Sequence, residues 1–484
     1  MISFCIALAV LIAGFLVYGK FVEKVFGIDP GRKTPAVANP DGVDFVPLPG
    51  WKIFMIQFLN IAGLGPIFGA IMGAKFGTSS FLWIVFGTIF AGAVHDYLSG
   101  MISLRHNGES LPETIGRYLG MTAKQTMRAF TVILMILVGV VFVAGPADLL
   151  AMLTPESFDA RFWIFAIFAY YILATLFPID KIIGRVYPLF AIALIFMAFG
   201  ILIMLFVTFP AIPELTDGLD NKMADAENNP LFPMLFISIA CGAISGFHAT
   251  QSPLMARCMT NERQGRYIFY GSMVTEGIVA LIWAAAATYF FSPEGQEFFG
   301  VTEPGKINGN SAVIVNIISN GWLGIAGGAL AILGVVAAPI TSGDTAFRSA
   351  RLIVADFLHL EQRSISKRLM ICIPLFIIAI LILIYNLSDP DGFAKIWRYF
   401  AWSNQTLAVF TLWAITVYLA RKKKPYWITL IPALFMMSVV FTYILFDRSG
   451  IALPYTVAVY ISAGITLLSA IWFFIRLPKM QEIR

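Results

Sequence analysis

The residues able to do chemistry in this chain are few, and most sit where a membrane-spanning helix ordinarily carries none. Inside the apolar run 231–255, the stretch GAISGFHATQSP (242–253) places Ser245, Gly246, His248, Thr250, Gln251 and Ser252 ahead of Pro253. Hydroxyls and an amide can orient a carboxylate or amide group. A membrane-embedded histidine titrates near neutral pH and can carry a proton; the alternative is a structural histidine hydrogen-bonded to a kink. An earlier run, 51–74, carries a matching defect at 59–66 (LNIAGLGP), with Asn60, Gly63, Gly65 and Pro66. Glycine permits non-helical dihedrals and proline removes a backbone donor, so the helix either unwinds here or kinks at a tight crossing. If it unwinds, N–H groups around 65–69 start a half-helix whose positive end can bind a carboxylate. Carbonyls near Leu59 and Ala62 then end the other half and can coordinate a cation.

Further along, Ala338, Thr341 and Ser342 fall at i, i+3 and i+4, hence on one helical face. Their hydroxyls either ligate an ion or bond back to the helix carbonyls. Asp344 and Arg348 read as a gate or as an exposed pair. His95-Asp96 lies within a third apolar run, where a carboxylate must be paired and face the bundle interior. Adjacent helical positions point about 100° apart, so Arg105 and Arg257, rather than His95, are the expected partners of Asp96. A structural ion pair and a proton relay or gate remain open for His95, Asp96 and Glu276. Asp148 is expected at an interface. Asn404 and Gln405, in WSNQT, suit substrate contact or interhelical hydrogen bonding.

The elements that position these groups follow from composition. At 59% hydrophobic and 13% charged, the 484 residues lie far from soluble composition, where charged residues alone make up about 25%. The chain reads as an all-α polytopic membrane protein of about thirteen spans: 2–26, 52–74, 80–104, 129–153, 162–180, 185–210, 231–257, 266–292, 321–342, 367–386, 400–420, 427–446 and 453–476. Alternate connections carry 26 of the 33 Lys and Arg. Under the positive-inside rule this saw-tooth puts the N-terminus outside and the C-terminus in the cytoplasm. The net charge of +5 is therefore a topology signal, not a nucleic-acid footprint. The four cysteines lack ligand-like spacing, so neither a disulfide framework nor a zinc site is expected. The first apolar run has no basic segment before it and reads as an uncleaved helix. No nucleophile–base–orienter set is visible, so the chain is not read as an enzyme, and no cofactor is expected.

The two interrupted spans, the second and seventh, start on opposite sides and five spans apart. Spans 2–6 and 7–11 thus form two five-helix units of opposite orientation, and paired Gly/Pro-broken spans mark a transporter binding site. The segments are 1–51 (an extra helix and cytoplasmic loop), 52–210 (first repeat), 211–230 (acidic outer loop, read as solvated), 231–420 (second repeat) and 421–484 (two further helices and a tail). Ser110 and Glu113 form an expected capping box opening a short helix that ends near Gly120. Residues 311–319 are its helical mate, and 345–362 suit an amphipathic helix lying along the interface.

This topology resembles the inverted repeat of LeuT-type transporters of the amino acid–polyamine–organocation superfamily. That resemblance implies a sodium site made of the Leu59, Ala62 and Ala338 carbonyls with the Thr341 and Ser342 hydroxyls. Four stretches are similar to the carbon starvation protein A (CstA) family: GLGPIFGAIMGAKFG (63–77), HDYLSGMISLRHNGESLPETIGRYLG (95–120), GAISGFHATQSPLMARC (242–258) and WSNQTLA (402–408). The resemblance implies a multi-pass carrier of the bacterial cytoplasmic (inner) membrane that takes up short peptides or pyruvate during carbon starvation. Many members are longer, with extra C-terminal spans. The resulting expectation is a symporter for a small carboxylate or short peptide, with H+ or Na+ as coupling ion. A channel or a membrane nutrient sensor is the alternative.

Overall fold

Runs of apolar residues broken only by glycine, proline and short polar turns fold as helices, and the described residues contain no strand. The computed structural model describes residues 1–176, 183–307, 310–362, 364–389 and 392–482. The principal helices are α1 (Ile2–Phe26), α2 (Gly50–Ile61), α3 (Gly65–Ala74), α4 (Ser79–Arg105), α5 (Leu111–Leu119), α6 (Met121–Leu153), α7 (Ala160–Leu176) and α8 (Ile183–Thr208). They continue with α9 (Leu231–Ser238), α10 (Gly246–Ala256), α11 (Glu262–Phe290), α12 (Ser311–Leu358), α13 (Ile365–Ser388), α14 (Gly392–Arg421), α15 (Trp427–Phe446) and α16 (Tyr455–Glu482). Among the described residues nine helices are long and apolar enough to cross a membrane, or ten when the bent pair α2–α3 counts as one span. The other three predicted spans fall on α7, on the pair α9–α10 and on α14; the end of the fifth span, 177–180, lies outside the described residues.

Both expected breaks are present. The axes of α2 and α3 differ by 53° across residues 62–64. The second break spans 239–245, so it begins earlier than the 242–253 stretch and ends before His248. Pro253 lies inside α10, three residues before its end, and the helix runs past it although proline removes the N–H that would bond to residue 249. The breaks abut. A Cβ added to Gly65 would stand 2.3 Å from the Cys241 Cβ, one on Gly69 would stand 2.7 Å from the Ser238 carbonyl, and one on Gly73 would overlap Ile239 at 2.2 Å. Three glycines one turn apart thus let α3 lie against the second break, as small residues do at membrane helix crossings. Gly65→Val is expected to destabilise the protein by about 3 kcal/mol through overpacking against the Cys241 side chain, whose Cβ cannot move without its backbone. An unchanged melting temperature in detergent would remove this close approach.

Three expectations are corrected. Residues 345–362 do not form a separate interfacial helix, because α12 runs unbroken from the span through Leu358 and buries Arg348 and Arg351. Their guanidinium groups find a buried carboxylate, Asp44, which removes the reason to seek the membrane surface. The 311–319 helix is the first part of α12, set off by Gly324 at φ 68°. The capping box at Ser110 is not made. Glu113 instead pairs with Lys124 and with Arg128, the latter at 2.6 Å, although α5 itself forms and ends at Gly120 with φ 97°. In the acidic loop, Glu214, still partly exposed, accepts hydrogen bonds from the first backbone N–H groups of α1. Asp148 is exposed.

Candidate functional site

The first break ends α2 at Ala62, whose ψ of 48° turns the chain out of the helix. Facing it, the Ser342 Oγ lies 3.1 Å from the Leu59 carbonyl and 2.9 Å from the Ala338 carbonyl. Thr341 Oγ1 lies 2.8 Å from the same Ala338 oxygen and 3.0 Å from that of Ala337. A Cβ on Gly63 would stand 3.4 Å from Ser342 Oγ, which places the turn after Ala62 against the hydroxyls. Leu59, Ala338, Thr341 and Ser342, from two distant segments, therefore converge beside Ala62. Both hydroxyls donate to carbonyls in this arrangement, the back-bonding geometry. The donor set is neutral oxygen, and no group of three or more His, Cys, Asp or Glu among the described residues is placed to hold a metal. Such oxygens fit a hard monovalent cation better than a transition metal. Thr345, one turn on, was missed in the sequence; it reaches Asn60 Oδ1 at 3.5 Å.

Beside the break lies a chain of ionisable side chains contributed by α4, α10 and α11. Asp96 accepts from both flanking histidines: Oδ1 is 2.8 Å from His95 Nδ1, and Oδ2 is 2.9 Å from His248 Nδ1. On its other side His248 presents Nε2 3.5 Å from Glu276 Oε2. All four residues are fully buried. The expected arginine partners are elsewhere. Arg105 binds Glu262 at 2.9 Å and Arg257 donates to the Gly108 carbonyl at 2.9 Å. Arg105 stands nine residues from Asp96, about 13 Å along the helix, which is out of reach. His95 does serve Asp96, because the imidazole swings Nδ1 back toward its neighbour although the two Cβ directions diverge.

Several polar atoms around this series have no hydrogen-bond partner among the described residues: His95 Nε2, His248 Nε2, both Glu276 oxygens, both Gln57 amide atoms, Asn60 Nδ2 and Gln251 Oε1. Buried polar groups are nearly always satisfied, so a cluster of exceptions marks groups kept for water, ion or ligand. Height along α11 places Glu276 among them. Ser272, one turn before, lies 3.5 Å from the Phe54 carbonyl, and Ala280, one turn after, meets Gly242 where Gly242 also faces Pro66. Glu276 thus stands level with the end of α2. Gln57, one turn before Asn60, carried no sequence signal beyond being polar in an apolar run.

The remaining predicted residues are placed as follows. Asn404 Oδ1 accepts the Phe247 N–H at 2.7 Å and the Ser245 hydroxyl at 3.0 Å, so the amide caps α10. The positive end of α10 is therefore already occupied, and Gly246 packs on the Asn404 backbone, its added Cβ falling 2.3 Å from that carbonyl. Of the two half-helix ends considered for a carboxylate, this favours the one at Gly65–Pro66. Thr250 and Ser252 bond back to the carbonyls of Phe247 and His248 at 2.7 and 3.0 Å, and Gln251 Nε2 reaches Thr250 at 2.9 Å. Gln405 Nε2 lies 3.4 Å from the Phe236 carbonyl. Asp344 accepts from Tyr187 at 2.7 Å.

A residue that the sequence hid closes one end. Asp44, from the polar loop before α2, is buried with Oδ1 3.4 Å from Arg351 Nη2 and 3.6 Å from Arg348 Nη1. Burial alone would raise its pKa, but Arg351, Arg348, Arg257 and Arg368 outweigh burial and hold the carboxyl below its ordinary range. Leu48 N–H donates to the Cys258 carbonyl at 3.1 Å, which ties the loop to the end of α10. An open cavity of about 790 Å³ lined by Asp44, Arg257 and Asp356 lies at this end. A second, small cavity of about 10 Å³ shares Arg257 and Leu352 with it and lies between Thr250, Pro253 and Ser349, with room for no more than a single water.

The family profile described as Carbon starvation protein CstA matches residues 1–155, 148–326 and 308–443. The chain belongs to the CstA family. An uncharacterized membrane protein of Haemophilus influenzae is 44% identical over 60% of this chain and 91% of its own length. The pyruvate/proton symporter BtsT of Escherichia coli is 28% identical over 64% of this chain, which spans 53% of that longer protein. The peptide transporter CstA of Campylobacter jejuni is 27% identical over 89% of this chain and 78% of its own. Among solved structures, a manganese transporter of Eremococcus coleocola superposes with a TM-score of 0.55 at 12% identity, covering 91% of this chain and 99% of that one. Similarity at that identity speaks for the fold alone. The CstA-family chain is thus a multi-pass membrane protein of transporter type, not an enzyme.

Proposed function

We propose that this CstA-family chain is a secondary active symporter taking up a small carboxylate such as pyruvate, or a short peptide, across the bacterial inner membrane, with protons as the coupling ion. The observation that carries the reading is the fully buried series His95–Asp96–His248–Glu276 beside two abutting helix breaks. An ionised carboxylate only accepts, so both Nδ1 atoms donate to Asp96 and each neutral imidazole presents Nε2 as an acceptor. A proton taken up at His248 Nε2 makes an imidazolium held by Asp96. Glu276 is the group with which that proton exchanges. The substrate carboxylate sits at the start of α3, within reach of the same groups. The names of the relatives, a pyruvate/proton symporter and a peptide transporter, favour this substrate class and ion. Thirteen spans, an outside N-terminus, a cytoplasmic C-terminus and a LeuT-type pairing of 52–210 with 231–420 complete the proposal. Uptake of labelled pyruvate and dipeptide into proteoliposomes is expected to follow an imposed proton gradient. Equal uptake with and without a gradient would reduce the protein to a facilitator.

A second reading for the ion rests on the convergence of Ser342, Thr341, Ala338 and Leu59 beside Ala62. If sodium drives or assists uptake, it binds there. Thr341→Ala and Ser342→Ala are then expected to abolish sodium stimulation with proton-driven uptake retained. Sodium stimulation that survives both substitutions eliminates the site.

A further inference from the structure

We propose that an anionic phospholipid seats at the basic rim of the bundle, its phosphate among Arg421, Lys422, Lys423 and Arg32 and an acyl chain in the apolar groove between α14 and α16. Two cavities meet there. One, of about 580 Å³, is lined by Arg32, Arg105, Arg117, Arg421, Lys422 and Lys423. Its nearby carboxylates are engaged: Glu262 with Arg105 at 2.9 Å and Arg32 at 3.7 Å, and Glu109 with Arg117. Arg421, Lys422 and Lys423 have no carboxylate within ion-pair distance among the described residues. Arg421 instead spends its guanidinium on the Arg117 and Tyr118 carbonyls, at 3.2 and 3.4 Å, which fixes it at the cavity wall. Lys423 sits at φ 54°, a backbone conformation that usually selects glycine after a helix. The chain holds a charged side chain there at some backbone cost.

The second cavity, of about 590 Å³, is apolar and begins at Tyr118, the residue common to both. Phe410, Trp413 and Val417 of α14 form one wall, and Ile465, Leu468 and Trp472 of α16 the other. Phe410 to Val417 is seven residues, about 10 Å of helix, so the groove runs down from the rim into the hydrocarbon. Tyr118 makes the junction. Its hydroxyl is 2.9 Å from His106 Nε2 and its ring lies 5.4 Å beneath the Arg421 guanidinium, the amphipathic placement of aromatic residues at a membrane interface. Unpaired cations directly above a lipid-facing groove match a diacyl lipid with a net negative head group. A zwitterionic head brings an ammonium that these cations repel. A free phosphate would use the charges and leave the groove irrelevant.

The test is lipid retention by the full-length protein, reconstituted in phosphatidylcholine vesicles containing a minor fraction of phosphatidylglycerol and then measured by native mass spectrometry. Phosphatidylglycerol is expected to be retained in preference to phosphatidylcholine. R421Q/K422Q/K423Q is expected to reduce that preference by about a hundredfold, roughly fivefold per charge. Ser469→Trp, which fills the groove and touches no charge, is expected to reduce phosphatidylglycerol retention as well, so the proposal does not hang on one variant. Equal retention of the two lipids by the parent protein overturns it, as does an unchanged ratio in both variants. Displacement of the lipid by an equal concentration of inorganic phosphate assigns the cavity to a free anion and also overturns it.

Discussion

Asp96→Asn is expected to lower gradient-driven uptake by about a hundredfold or more, the span over which a lost acid–base group usually counts, with the protein still folded and inserted. The carboxylate lies between two histidine Nδ1 atoms at 2.8 and 2.9 Å, so each of its oxygens accepts from one imidazole. Asparagine keeps the shape and one acceptor but turns the other position into a donor. One imidazole must then change tautomer or rotate, and neither is held as an imidazolium by a full charge. His248 feels this most, because its other nitrogen faces Glu276 at 3.5 Å and forms the only link to that carboxylate among the described residues. The substitution therefore cuts the series at its middle. Downhill exchange of labelled for unlabelled substrate tells a coupling defect from a binding defect. Exchange is expected to persist in Asp96→Asn, whereas accumulation against a gradient collapses. Wild-type accumulation in this variant would return the four residues to a purely structural role.

Much of this geometry was legible because membrane helices tolerate so little. Asn60, Gly63, Gly65 and Pro66 announce a break or a tight crossing, and both are present: the chain leaves the helix at Ala62 and Gly65 packs against Cys241. The second break was legible in kind and displaced in position. Gly242 and Ser245 lie within 239–245, but His248 to Pro253 belong to α10, where hydroxyls bond back along the helix. What the sequence could not carry is which groups meet. Helical projection points Asp96 away from the adjacent His95 and toward distant arginines, because it ignores side-chain reach. Gln57 looks like any polar residue near a span. Asp44 is one acid in a loop of ordinary composition, and only the tertiary path of residues 27–49 brings it beneath α12. Likewise, no local pattern shows α12 continuing past Asp344. That continuation depends on Arg348 and Arg351 finding a buried counter-charge.

Asp44→Ala is expected to destabilise the folded protein by about 3–5 kcal/mol, because it leaves two buried guanidinium groups without their carboxylate. The same change should loosen the loop that carries it. Asp44 and Leu48 fasten the loop to Arg348, Arg351 and Cys258, and Cys258, fully buried, lies behind it with Sγ 4.0 Å from the Asp44 carbonyl. In a Cys5→Ser background, which removes the exposed cysteine, a membrane-permeant thiol reagent is expected to label the protein faster once Asp44 is replaced. Acid should mimic the substitution. The folded-state pKa of Asp44 lies below the unfolded value, so the latch contributes fully above the ordinary carboxylate range and is lost as pH falls through the lowered value. Thiolate reactivity itself falls in acid, so rates are compared at matched pH: the variant is expected to label faster than the parent near neutral pH, and the two rates to converge well below it. Asp44→Leu combined with Arg351→Met separates charge from fit: replacing a buried pair by apolar groups commonly restores stability. The double variant should therefore regain part of the melting temperature, and only part, because Arg348 keeps its charge and loses the same carboxylate. Labelling that stays slow in Asp44→Ala at neutral pH would show that the loop is held by packing alone and that the two arginines serve some other end.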